Sequence, residues 1–348
     1  MSRTPPSTAR SAGVRRMIGR MVGAASRPEP WRRGPVLVAL ALLLGLLLLL
    51  HAWIPNRAGN LGSLVETFLP WFGLGVPVLF AGALWRRSAS AVAALLLPVV
   101  VWAHLFGGRL LDKSDPGAGF IVVSHNVGAD NADPAGTARA LAASGADVLA
   151  LEELTPQATG VYETELARTY PHRTVLGTVG LWSRLPLSDA RPIDIMNFGP
   201  LARTITAEGK AAPNRALRAT VATARGPLTV YVAHLGSVRV NPRAGFWTAS
   251  RNIGVRALGE AVAAERNARV VLLGDLNGST DDRALGGVTA TMRSAQDVAG
   301  DGFGFTWPVE FPVVRADQIL VRGVKAESAW VLPATGSDHL PVAAGISW

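Results

Sequence analysis

The sequence predicts an α+β protein of packed sheets with helices outside, preceded by three membrane-spanning helices. Three observations predict it. Long apolar stretches dominate residues 35–107. After residue 119, short β-rich runs alternate with a few helical stretches. Acids, amides and histidines gather at the ends of those runs, where sheets place ligand sites. The chain divides into a tail (1–34), a membrane region (35–107), a linker (108–118) and a soluble domain (119–348).

The formal net charge of +9 invites a nucleic-acid reading, but its distribution opposes it. From Gly119 onward, 21 basic residues balance 21 acidic ones. The excess lies upstream, with eight Arg in the first 34 residues. Cysteine is absent, which excludes disulfides and thiolate metal sites.

In the membrane region, residues 36–54, 68–85 and 89–107 are each long enough to span a hydrocarbon core. Trp53, Trp71, Trp85 and Trp102 lie near segment ends, where amphipathic rings prefer the interface. The first segment is too long for a cleaved leader and lacks an Ala-x-Ala site. The Arg-rich tail and Arg86–Arg87 predict a cytoplasmic N-terminus and a soluble domain outside the membrane.

In the soluble part, strands are expected at 120–127 and 146–154, with helices at 133–145 and about 156–169. Asp133 is the expected N-cap and Gly145 the exit of the first helix. Residues 177–187, 214–223 and 226–235 read as a meander. A helix at 249–266 leads into the strand of "ARVVLLGDLNGS", and the last strands are 316–323, 327–333 and 340–347.

Polar residues collect at these strand ends: Asn126, Glu152–Glu153, His234, Asp275 with Asn277, Asp317, and Asp338–His339. Asp275 and Asn277 are two apart, so they share a strand face, although Asp, Asn and Gly also favour a turn. Carboxylates and amides suit a hard cation, and histidines suit proton transfer or charge stabilisation.

Asn126, "LALEEL", "GLWSRLPL", "AHLGS", "GDLN", "RADQIL" and "SDHLPV", in that order, resemble the endonuclease/exonuclease/phosphatase superfamily over residues 119–348. The resemblance implies a four-layer α/β/β/α sandwich of two packed mixed sheets that hydrolyses phosphoesters or anhydrides with Mg²⁺, or Mn²⁺. It implies Glu153 as metal ligand, with Asn126 beside it and Asp338 close by. Asp275 would orient or deprotonate water, Asn277 would help hold phosphate, and His339 would contact the phosphoryl group, oriented by Asp317. His234 would be the second histidine. Glu152 stands where a Gln is common, Gln318 where an aromatic or His is usual, and Gly128 supplies no second acid after Asn126.

A neutral soluble domain is a poor polyanion binder, and the short linker keeps it near the outer leaflet. The expected partner is therefore a lipid phosphate or pyrophosphate in the membrane, not a nucleic acid. The plan is similar to the VanJ-type teicoplanin-resistance proteins, which implies undecaprenyl pyrophosphate as substrate. Within "SVRVNPRAGFWTASRN", Arg243 and Arg251 are the expected substrate contacts. The alternatives are an anchored extracellular nuclease, a phospholipase C-like phosphodiesterase, or a non-catalytic sensor of a phosphorylated ligand.

Overall fold

The computed structural model describes residues 33–348, apart from 58, 116, 118, 197–213 and 244. The Arg-rich tail falls outside the described residues except for Arg33 and Gly34. The described residues form two compact units, one of those up to 49 with 71–102 and one of those in 50–70 with 103–348. Residues 50–70, expected within the membrane region, thus group with the soluble domain.

The first helices are α1 (Pro35–Leu50), α2 (Leu61–Thr67), α3 (Gly75–Arg86), α4 (Ala89–Ala94) and α5 (Leu96–Phe106). Helix α2 belongs to the second unit; α1, α3, α4 and most of α5 belong to the first. The stretches Pro35–Trp53, Leu69–Arg86 and Ala89–Leu110 are long and apolar enough to cross a membrane. Val36, Leu43 and Val100 are each more than 60% exposed, an outward apolar face compatible with a hydrocarbon surrounding. A Cβ on Gly45 would lie 2.6 Å from Leu97, so a small residue is what lets α1 approach α5 closely. Ser88 caps α4 by accepting the Ala91 amide at 3.2 Å.

The second unit continues with β1 (Phe120–Asn126), α6 (Pro134–Ala143), β2 (Val148–Glu152), α7 (Pro156–Leu166), β3 (His172–Leu176), β4 (Val179–Ser183) and β5 (Leu187–Pro192). Next come β6 (Ala216–Thr223), β7 (Gly226–Ala233), the hairpin β8 (Arg239–Asn241) and β9 (Gly245–Trp247), and α8 (Ala249–Ala263). The chain closes with β10 (Val270–Asp275), α9 (Gly286–Thr289), β11 (Arg293–Ser294), α10 (Ala295–Ala299), β12 (Asp317–Arg322), β13 (Lys325–Val331) and β14 (Val342–Ser347).

Two six-stranded sheets result, ordered β13-β14-β1-β2-β4-β3 and β11-β12-β10-β7-β6-β5. Each is mixed: β1 runs parallel to β2 and antiparallel to β14, and β10 runs parallel to β7 and antiparallel to β12. Alternate residues of a central strand serve two cores, which is why these strands are apolar throughout. Val122, Ala150, Val230 and Val271 meet between the sheets. Val123 and Leu149 pack outward with Leu141 of α6 and Tyr162 of α7. Val270 and Leu272 pack outward with Leu258 and Val262 of α8. The order is helix, sheet, sheet, helix, the four-layer sandwich expected.

The expected meander is corrected. β4 pairs with β2 and β3, whereas β6 and β7 belong to the other sheet. The run 177–187 is broken after Ser183, and the chain then crosses to the second sheet as β5. Asp133 does cap α6, accepting the Gly136 amide at 2.8 Å, and Gly145 takes a positive φ of 79° just past its end.

Candidate active site

Parallel pairing of β1 with β2 sets Asn126 beside Glu152, and antiparallel pairing of β10 with β12 sets Asp275 directly opposite Asp317. Two acids facing each other across a buried ladder are unfavourable in a purely structural sheet. Both are fully buried. Burial and Asp317 push the Asp275 carboxyl up to about 6, against the lowering effect of His339 and the amides around it. A divalent charge nearby would bring it down again.

Asp275 is held from three sides. Its Oδ1 accepts the Asn277 backbone N–H at 2.8 Å, and its Oδ2 accepts Asn126 Nδ2 at 3.0 Å and Asn277 Nδ2 at 3.2 Å. The strand ends at Asp275 and Asn277 lies beyond it at positive φ, so the turn read from "GDLNG", and not a shared strand face, brings the two side chains together. Asn277 also donates to the Leu235 carbonyl at 3.1 Å and sits at φ 50°. Its side-chain amide thus links Asp275 to the Leu235 carbonyl, and the residue lines the same cavity as Glu153 and His339.

His339 Nδ1 donates to Asp317 Oδ2 at 2.8 Å, leaving Nε2 3.9 Å from Asp275 Oδ2. Burial pulls this imidazole down, but Asp317, its hydrogen bond, Asp275 and Asp338 outweigh it and raise the group to about 10. His234 is its opposite. Burial, Arg215 and His339 hold it well below the ordinary histidine range. Its Nε2 accepts from the Arg215 guanidinium. That nitrogen lies 3.5 Å from Glu153 Oε1 and 3.7 Å from Asp275 Oδ2. The sequence puts His234 at the site but gives no sign of the cation that occupies it. An Arg just before a strand is ordinary, and only the pairing of β6 with β7 brings it to the histidine.

The two adjacent glutamates separate cleanly. Glu152 is buried beneath the site, accepts Ser124 Oγ at 3.0 Å, and is pushed well up, chiefly by burial and then by Asp317. Glu153 turns out of the strand at φ 60° and faces the cavity, accepting the Ala129 amide at 3.0 Å. Asp338 is exposed at the cavity wall and accepts Trp307 Nε1 at 3.2 Å, so it sits at the rim.

The two arginines are corrected. Arg251 has no exposed surface and pairs with Asp282 at 2.7 Å. It also donates to the Asn277 carbonyl at 3.1 Å, which makes it a brace behind the site. Arg243 is exposed in the β8–β9 turn; the arginine of that hairpin lining the cavity is Arg239.

The donor set fits a hard divalent cation: carboxylates on Glu153 and Asp275, an amide oxygen on Asn126, and a buried Asp317 Oδ1 without a partner. Asp275, Asp317 and His339 also form one buried group whose ligand atoms lie within 4.8 Å of one another. There the Asp317–His339 hydrogen bond competes with an ion, whereas the oxygens of Glu153 and Asn126 accept only the backbone amides of Ala129 and Gly128.

A two-sheet sandwich with acids, amides and a carboxylate-held histidine at one rim is the arrangement of a phosphoesterase-type fold. The chain belongs to the endonuclease/exonuclease/phosphatase family, whose model matches residues 123–339. No curated protein sequence matches it. Among solved structures it is similar to Danio rerio TDP2 complexed with single-strand DNA product, at 20% identity and a TM-score of 0.52, covering 66% of this chain and 99% of that one. It is also similar to a mannosyl-6-phosphatase of Bacteroides thetaiotaomicron, at 13% identity and TM-score 0.51, covering 66% of this chain and all of the other. A functionally unknown protein of Enterococcus faecalis aligns at 14% identity and TM-score 0.53, over 66% and 99% of the two chains. These likenesses establish the fold.

Proposed function

We propose that this protein is a membrane-anchored, Mg²⁺-dependent phosphohydrolase that acts outside the cytoplasm on a phosphorylated lipid, with undecaprenyl pyrophosphate as its substrate. One observation carries the reading. Glu153, Asp275 and His339 line the same cavity as Thr67 and Phe68, which belong to the link between two apolar helices. A phosphate bound there is held beside chain that leads directly into hydrophobic segments. Two of those segments separate residues 50–70 from 103–348, and the packing of these parts into one unit supports an even number of crossings between them.

Each side chain has a task in this reading. Asp275, fixed by Asn126 and Asn277, orients the attacking water and takes its proton. The water oxygen bonds to phosphorus as the bond to the leaving oxygen breaks. His339, with Nδ1 tied to Asp317, directs Nε2 at the phosphoryl group and stabilises its growing charge. Glu153 and Asn126 would hold the metal, with Asp338 at the rim. When bound, the ion neutralises charge on the phosphoryl and leaving oxygens. Arg215 holds His234 neutral beside Glu153.

The test is Mg²⁺-dependent phosphate release by the full chain from undecaprenyl pyrophosphate, set against phosphodiester lipids and DNA. Release from the pyrophosphate, lost by about 10²–10⁴ in Asp275→Ala, is expected. Degradation of DNA with no release from the lipid would select a nuclease instead.

A further inference from the structure

Residues 51–70 are more than a tether. Helix α2 presents Glu66, 1% exposed, to Arg283: the guanidinium Nε lies 2.9 Å from both carboxylate oxygens, and the Arg283 backbone N–H donates to it at 3.0 Å. The same guanidinium donates to the carbonyls of His51, Ala52 and Ile54 at 2.7–3.0 Å. Ser63 Oγ donates to Asp282 at 2.9 Å, and Asp282 pairs in turn with Arg251, the brace of the Asn277 carbonyl. A second attachment runs to the β8–β9 hairpin, where Phe246 N–H meets the Gly59 carbonyl at 2.8 Å and Asn60 donates to the Phe246 carbonyl at 2.9 Å. A side chain on Gly62 would collide with the Ile54 carbonyl at 2.5 Å, so the fit is close.

This docking adds Thr67 and Phe68 to the wall of a cavity of about 350 Å³. Glu153, Asp275 and His339 line it, and so do the apolar Phe68 from the link, Val240 and Phe246 from the hairpin, and Trp307, which also donates to Asp338. Val240 is 72% exposed and Trp307 41%, so part of the apolar lining of this cavity faces outward. Burying such surface in water-free contact is favourable only with an apolar occupant.

We infer that residues 51–70 and the β8–β9 hairpin form a chain-binding wall, which selects phosphate esters or anhydrides by the hydrocarbon attached to their phosphate. The inference rests on the phosphohydrolase reading above, and adds that the interhelical link is part of the substrate site. Phe68 and Val240 grip the first carbons of the chain; Glu66 and Arg283 are positioning residues that hold the wall in place.

The experiment uses full-length protein in mixed micelles with Mg²⁺ and a series of probes: inorganic pyrophosphate, geranyl diphosphate, farnesyl diphosphate and undecaprenyl pyrophosphate. The readout is the ratio of kcat/KM for the longest to the shortest prenyl substrate. Wild type is expected to favour the longer chain by on the order of tenfold or more. Phe68→Ser, and independently the surface change Val240→Ser, should collapse that ratio mainly through KM; Glu66→Gln should lower it as well. Hydrolysis that ignores chain length in wild type overturns the inference and leaves the phosphohydrolase reading standing. So does a loss in Phe68→Ser and Val240→Ser that is equal for every substrate. No hydrolysis of any diphosphate by wild type overturns both.

Discussion

The two histidine corners of the site are built from the same side chain and come out opposite. At one, His339 faces Asp317 at 2.8 Å and is raised to about 10. At the other, His234 accepts from Arg215 and is held well below its ordinary range. Both are buried at strand ends beside Asp275. The difference teaches that the partner, not the histidine, assigns the role: a charged hydrogen-bond donor on one side of the acid, a neutral acceptor on the other.

The largest test of that contrast is activity. His339→Ala should lower kcat by about 10²–10⁴, as removal of a proton-donating or charge-stabilising group does. His234→Ala should cost only on the order of tenfold, the worth of one buried hydrogen bond. Equal losses would break the comparison. A second test uses the adjacent glutamates. Glu153→Gln should weaken Mg²⁺ binding, read by calorimetry, by about 10- to 100-fold. Glu152→Gln should leave it within about threefold, because burial already favours the neutral acid there.

The smallest effect is the pH dependence of stability in chelator-treated protein. His125 is buried, bonded to Thr335 at 2.8 Å and lowered to about 3, chiefly by burial. Between pH 6.5 and about 3 the unfolded chain binds a proton that the folded chain refuses, so this group makes stability fall as pH falls. His339 has the opposite sign. Its contribution is full below pH 6.5 and is lost as pH rises toward about 10. Thermal unfolding from pH 4 to 10 should show both slopes. His125→Phe should reduce the acid slope, which His234 shares, and leave the alkaline limb in place; Asp317→Asn should flatten the alkaline limb and also alter the acid one through Asp275 and Glu152.

Much of this site was legible before any coordinates. A buried strand that stops in Asp275, or in Glu152–Glu153, carries polar groups where turns and ligand sites both occur, and ordered motifs separated those cases. The capping of α6 followed from Asp133 and Gly145. What escaped was set by pairing. Strands β3 and β5 have little apolar alternation because they are edge strands, and β5 is mostly exposed. Asp275 opposite Asp317, and Arg215 against His234, are facts of register that no local pattern encodes. Arg251 looked like a surface contact because it followed Phe246 and Trp247; only the burial of Asp282 beside it reveals a brace. Helix α2, of seven residues, is too short to show a period, and the partners of its Glu66 and Ser63 lie 217 and 219 positions away.

That separation has a consequence for how the protein is born. The link carrying Glu66 is synthesised before two apolar helices and most of the second unit, so its pairing with Arg283 can form only once the intervening 217 positions have been made. A soluble fragment starting at residue 108 would never reach it: the body would carry Arg283 and Asp282 with neither Glu66 nor Ser63 to receive them.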